Sequence, residues 1–352
     1  MEATNLNYRS QPDDVLTMIA DYIDVYEVTS ELALDTARLC LIDSLACAFD
    51  ALGYEDCVRL LGPVVPGTVV PNGARVPGTT FVLDPATATF NLGALVRWLD
   101  FNDSFYGETV IHPSDNVAPV LMLGDYLSRD RIARGEAPMR MREVLDAVVK
   151  AYEVQGGLAI ENDFNGMGLD HTTTVKISAT SAAAGLIGCT RDQIVNAVSH
   201  AWSDGMPLAT FRRAPNTGPR KSWAAADAAS RGVWLALLAL KGEEGVPTAL
   251  SVPKWGFYDV YSEGRPLRFQ RPFESYVIEN VLFKIGYPAA FHAQSAVEAA
   301  INLHEAVKDR LDEIERVDVR CHRSSMIILN KTGPLHNWAD RCLLYTSPSP
   351  RD

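Results

Sequence analysis

Residues 32–52, LALDTARLCLIDSLACAFDAL, constrain this chain more than any other stretch: Leu34, Ala37, Leu41, Leu45, Ala48 and Leu52 recur at steps of three and four. That spacing lays one apolar stripe along a helix, and the scarcity of polar residues between them predicts that the helix is buried. Further apolar, Ala-rich segments follow at 86–99, 117–127, 143–160, 172–187, 191–202 and 223–241, each bounded by Gly, Pro or charged residues. Residues 60–87, rich in Pro and Gly with β-branched residues between them, read as loop with at most a short strand or two. Helices that each hide an apolar face must pack on one another, so the expected fold is mainly α, with a large all-helical domain over residues 1–265.

After about residue 265 the texture changes to RFQRPF, YVIENVLFK, a helix-like SAVEAAINLHEAV and a strand-like IERVDVRCH. Alternating elements of this kind predict the start of a smaller α/β domain over residues 266–341. A chain of 352 residues also exceeds the size at which one core usually stops growing. Residues 342–352, ending in LLYTSPSPRD, break the pattern abruptly and read as a non-native tail.

The net charge of −12 opposes binding to the phosphate backbone of nucleic acid. No apolar run reaches the roughly 20 residues of a bilayer span, and MEATNLNYRSQPDDVL has the features of neither a secretory signal nor an organelle leader. The expected location is therefore cytoplasmic. Cysteines at 40, 47, 57, 189, 321 and 342 include no CxxC pair, so local spacing suggests neither a zinc site nor an iron-sulfur cage, and no metal or cofactor is expected.

Polar chemistry concentrates in two places. RWLDFNDSFYGETVIHPSDN, residues 97–116, holds Asp100, Asp103, Ser104, His112 and Asp115 in a loop between two helices. The same residues also suit a helix-end cap with a loop histidine, and DFNDS resembles carboxylate motifs for magnesium except that Asn102 stands at one acidic position. FRRAPNTGPRK, residues 211–221, supplies Arg212, Arg213, Arg220 and Lys221 with no acid between Asp204 and Asp227. A compact basic loop in so acidic a chain suits a polyanion, with Arg matching carboxylates in a fork and Lys acting as a point charge. The alternative is a solvated basic surface. His171 and His292 each stand just before an expected helix, where the dipole favours neutral imidazole.

Taken in order, RWLDFND…HPSDN, AYEVQG, GLDHTTTVK, NAVSHAWSDG, TFRRAPNTGPRKSWAAADAASR, PKWGFYDV, FQRPFESYVIENVLFKIGYPAAFHAQSAVEAA and KTGPLHNWADR resemble the MmgE/PrpD family over about residues 30–341. The resemblance implies a helical domain with an α/β lid, a homodimer, and cofactor-free elimination of water from a tricarboxylate, 2-methylcitrate, in propionate catabolism. It also implies that the remainder of the lid lies outside this sequence. Family members that decarboxylate cis-aconitate share the site, which by motif falls on Asp100, Ser104, His112, His171 and Lys221. The wording of HPSDN and RRAPNTGPRKSW favours the dehydratases. Arg212, Arg213, Arg220, Lys284 and His292 are the expected substrate-binding residues, and His112 with His171 the expected acid/base pair.

Overall fold

The computed structural model describes residues 10–213, 215–287, 289–321 and 325–326. The block at 331–341, His322, His336 and the expected tail at 342–352 lie outside the described residues. The helices run in the order α1 Asp14–Val25, α2 Glu31–Ala51, α3 Glu55–Val58, α4 Pro85–Trp98, α5 Val117–Ala133 and α6 Met141–Ile160. They continue with α7 Thr172–Leu186, α8 Arg191–Ser203, α9 Ala224–Leu240, α10 Phe257–Tyr261, α11 Tyr276–Glu279 and α12 Phe291–Val307. The sheet among the described residues is one antiparallel pair, β1 Ala74–Arg75 and β2 Val82–Leu83, inside the stretch read as loop. The fold is mainly α, as expected.

Local chemistry explains the helix starts. Ser30 accepts from Ala33 N at 3.2 Å to cap α2, and Asp84 accepts from Ala86 and Thr87 to cap α4, whose first residue is Pro85. Thr190 and Gln193 form a reciprocal capping box at α8.

α7 lies at the centre, packed against α5, α6, α8 and α9, and every residue from Thr172 to Ala184 is buried. Several of its hydroxyls bond back to the preceding turn: Thr174 donates to His171 O at 2.7 Å and Thr180 to Lys176 O at 2.7 Å. Small side chains let the neighbouring helix come close. A Cβ on Gly232 of α9 would lie 2.9 Å from Thr180 N, so that contact between backbones requires glycine.

Two stretches depart from the expected pattern. YVIENVLFK supplies the single turn α11 and then one antiparallel bridge between Leu282 and Ser104, rather than a strand. Residues 314–321 of IERVDVRCH form neither helix nor strand. Periodicity offers a strand, but only a partner edge makes one. The bridge at Leu282 matters for the site, because it carries Lys284 to the polar loop between α4 and α5.

Candidate active site

The loop between α4 and α5 is held at three points. Phe105 and Ile111 exchange both backbone hydrogen bonds, at 3.0 and 3.1 Å, and both side chains are buried. The tip lies on the end of α6, with Glu108 N bonded to Ile160 O at 3.0 Å and Thr109 N to Ala159 O at 3.1 Å. A Cβ on Gly107 would come within 2.4 Å of Ala159 O, so glycine is required there. Ser104 pairs with Leu282 through both backbone bonds, at 2.9 and 2.8 Å. The result is a rigid platform for His112 in a segment without regular secondary structure.

Asp100 sits in the left-handed region at φ 58°, unusual for a residue other than glycine. Three cations surround its carboxylate: Arg97, in direct contact, Lys221 Nζ at 3.5 Å and Lys284 Nζ at 3.8 Å. Lys284 also donates to the Asp100 carbonyl at 2.7 Å. Burial alone would raise the Asp100 carboxyl, but the charges of Arg97, Lys284 and Lys221 outweigh it and hold the group well below the usual carboxylate range. One carboxylate among three cations leaves a locally positive field in a chain of net charge −12. Such a field disfavours the magnesium alternative. Asn102 is also committed to protein partners, accepting from Arg97 at 3.1 Å and donating to Ser114 Oγ at 2.9 Å. Among the described residues, no group of three or more His, Cys, Asp or Glu is placed to hold a metal ion.

The tautomer of His112 follows from its neighbours. Nδ1 is 2.7 Å from the Asp103 carbonyl, which can only accept, so Nδ1 carries the proton and Nε2 the lone pair. Ser104 Oγ lies 3.2 Å from the same Nδ1, and Nε2 faces Asp100 Oδ1 at 3.8 Å. Burial, with the charges of Arg97 and Lys284, holds the imidazole well below its ordinary value despite Asp100, and so keeps it neutral. Asp103 supports the platform, accepting from Ser114 N at 2.9 Å and Ser114 Oγ at 2.7 Å. Its burial raises the carboxyl to about 6, only partly offset by the two Ser114 bonds.

His171 is placed otherwise, at the start of α7 with its ring 5.5 Å from that of His112. Nε2 lies 3.3 Å from Asp115 and Nδ1 3.4 Å from Asp170. Asp115 also faces Arg97 Nε at 3.4 Å. Asp170 is gripped by both prongs of Arg212, at 2.5 and 3.1 Å. Burial would raise the Asp170 carboxyl, but Arg212 and His171 together pull it well below the ordinary range.

The basic loop therefore splits in two. Lys221 reaches Asp100, and Arg212 is committed to Asp170 while donating to Lys221 O at 3.3 Å. Arg213 donates to Asn165 at 3.2 Å, with burial lowering its guanidinium from the usual value. Arg220 pairs with Asp227 at 2.7 Å and lies over the Trp223 ring at 4.5 Å. His292, on the first turn of α12, meets the site loop through an edge contact with Tyr106 at 5.7 Å. Arg97 and Asp170 also belong to the site, outside the expected set of residues. Their signal was charge inside otherwise apolar or helix-starting segments, at RWLD and GLDH.

The MmgE/PrpD N-terminal domain matches residues 17–270, and the MmgE/PrpD C-terminal domain matches residues 287–345. The chain belongs to the MmgE/PrpD family. It is 53% identical over 355 residues to the 2-methylcitrate dehydratase of Salmonella typhimurium, covering 99% of this chain and 74% of the relative. The 2-methylcitrate dehydratase of Cupriavidus necator is 54% identical over 347 residues, 97% of this chain and 72% of the relative. A mitochondrial 2-methylcitrate dehydratase of Yarrowia lipolytica is 49% identical over 350 residues, 98% of this chain and 67% of the relative. Among the described residues, no helix of this MmgE/PrpD chain is long and apolar enough to cross a membrane.

Proposed function

We propose that this chain is a hydro-lyase that converts 2-methylcitrate to 2-methyl-cis-aconitate and water, by acid/base elimination using its own side chains. The observation that carries the reading is the neutral His112 with its lone pair on Nε2, beside a carboxylate set among Arg97, Lys221 and Lys284. Similarity to relatives named 2-methylcitrate dehydratase supplies the substrate.

The step to be catalysed removes a proton from the carbon next to a carboxylate, while hydroxide leaves the neighbouring carbon. Negative charge builds on a group that is already anionic, so preorganised cations lower the barrier most. Lys221 and Lys284 provide them. His112 takes the carbon-bound proton on Nε2, and Asp100 then stabilises the imidazolium so formed. His171, with Asp115 and Asp170 facing its two ring nitrogens at 3.3 and 3.4 Å, gives a proton to the departing hydroxide. Ser104 keeps a hydroxyl beside His112 for a substrate carboxylate or hydroxyl. Arg213 and His292 approach from the loop and from α12.

Decarboxylation of cis-aconitate is the second reading, since the same residues could serve it, and the products separate the two. The dehydratase reading also carries a homodimer, a cytoplasmic location, and a division near residue 265 between the helical domain and the lid. Proton NMR of 2-methylcitrate incubated with the enzyme tests the function. Appearance of 2-methyl-cis-aconitate supports it, whereas no change in 2-methylcitrate together with carbon dioxide release from cis-aconitate replaces it with the decarboxylase.

A further inference from the structure

Five ionisable side chains form a buried row behind the loop between α4 and α5: Arg97, Asp115, His171, Asp170 and Arg212, with side-chain exposures of 2%, 0%, 6%, 1% and 10%. They come from four separate places: the last turn of α4, the short turn before α5, the residues leading into α7, and the basic loop. We infer that Asp115 and Asp170 are positioning residues that hold His171 between them, Asp115 facing Arg97 and Asp170 gripped by Arg212, so that Arg212 acts through Asp170 and not on the substrate.

Three observations lead there. Each ring nitrogen of His171 faces a different carboxylate: Nε2 is hydrogen-bonded with Asp115 Oδ2 at 3.3 Å and Nδ1 lies 3.4 Å from Asp170 Oδ1, and the two contacts together limit the tilt of the ring. Arg212 spends its two-pronged face on Asp170, at 2.5 and 3.1 Å, and that is the geometry in which a guanidinium would otherwise take a substrate carboxylate. Backbone bonds lock the second arm in place: Asp170 N to Pro207 O at 2.9 Å and Ala209 N to Gly168 O at 3.0 Å tie the approach to α7 to the basic loop.

A row of buried charges is also a poor device for stability alone, since a well-packed apolar row of similar volume usually does as well or better. Its benefit is orientation. The inner arm reaches the rest of the site through Arg97, which contacts both Asp115 and Asp100, and the outer arm through Arg212, which donates to the carbonyl of Lys221. One network therefore sets the position of His171 relative to Asp100 and Lys221.

The inference rests on the dehydratase reading for its kinetic test, but a second readout does not depend on it. Asp115→Asn and Asp170→Asn keep the side-chain shape, and Arg212→Lys keeps the charge while losing the fork. In each, kcat for 2-methylcitrate should fall about 10- to 100-fold with KM changed less than about threefold, as expected when a reacting group is misplaced. A rise in KM of tenfold or more for Arg212→Lys, with kcat retained, would make Arg212 a substrate clamp and overturn the inference. The second readout is NMR of the protein carrying 15N-labelled histidine, without substrate. The ring N–H signals of His171, assigned by their loss in His171→Gln, should shift or broaden in Asp115→Asn and Asp170→Asn. Unchanged His171 signals in both variants would overturn the clamp. If the parent chain turns over no 2-methylcitrate but the signals respond as expected, the function fails and the clamp stands.

Discussion

The His112 and His171 rings sit 5.5 Å apart in opposite settings. His112 stands on an irregular loop and commits one nitrogen to a backbone carbonyl, while the other faces Asp100 at 3.8 Å. His171 stands at the start of the most buried helix and has a carboxylate against each nitrogen. A carbonyl fixes a tautomer without adding charge, whereas two carboxylates set a ring between two fixed acceptors. In the proposed mechanism His112 receives a proton and His171 supplies one.

The sharpest way to break this contrast is His112→Ala, which should lower kcat by about 100- to 10,000-fold, the usual worth of a positioned acid or base. Proton NMR of 2-methylcitrate turnover measures it, and retention of full activity would remove His112 from the mechanism. Lys221→Met should come next, with kcat/KM reduced on the order of 100-fold because a cation is lost from where charge develops.

Arg220→Met tests the other end of the same basic loop. Its guanidinium pairs with Asp227 and covers Trp223, so kcat/KM should change less than about threefold, with the cost confined to exposed pairing and stacking. Equal losses in Lys221→Met and Arg220→Met would erase the division drawn within the loop.

The last prediction concerns stability and not turnover, at Asp103 beneath His112. Its carboxyl is raised to about 6 in the folded chain from an ordinary value of 3.8, so between these values the native state holds a proton that the unfolded state has lost. Its contribution is therefore greatest below pH 3.8 and declines as pH rises through 6. The total change is on the order of 2–3 kcal/mol by linkage. In Asp103→Asn that contribution should vanish, and denaturant melts at pH 4.5 to 7 should show the difference in stability between parent and variant changing with pH. A constant difference across the range would show that Asp103 does not titrate there.

The sequence by itself determined the helices. Their stripes, caps and breakers are local, and the segments expected at 32–52, 86–99, 172–187 and 223–241 appear as α2, α4, α7 and α9. It also brought out the family, through ordered blocks, and the polar loop that carries Asp100, Ser104 and His112. The partner of each charge was not legible. Arg212, Arg213, Arg220 and Lys221 look alike in a run of basic residues, yet they bond to Asp170, Asn165, Asp227 and Asp100 respectively. Lys284 joins Asp100 across 184 positions of chain, through a bridge at Leu282 that no periodicity marks. Helix formation depends on neighbours three and four residues away, which a sequence displays directly. The work a buried charge does depends on which opposite charge reaches it, and only tertiary packing brings that one within range.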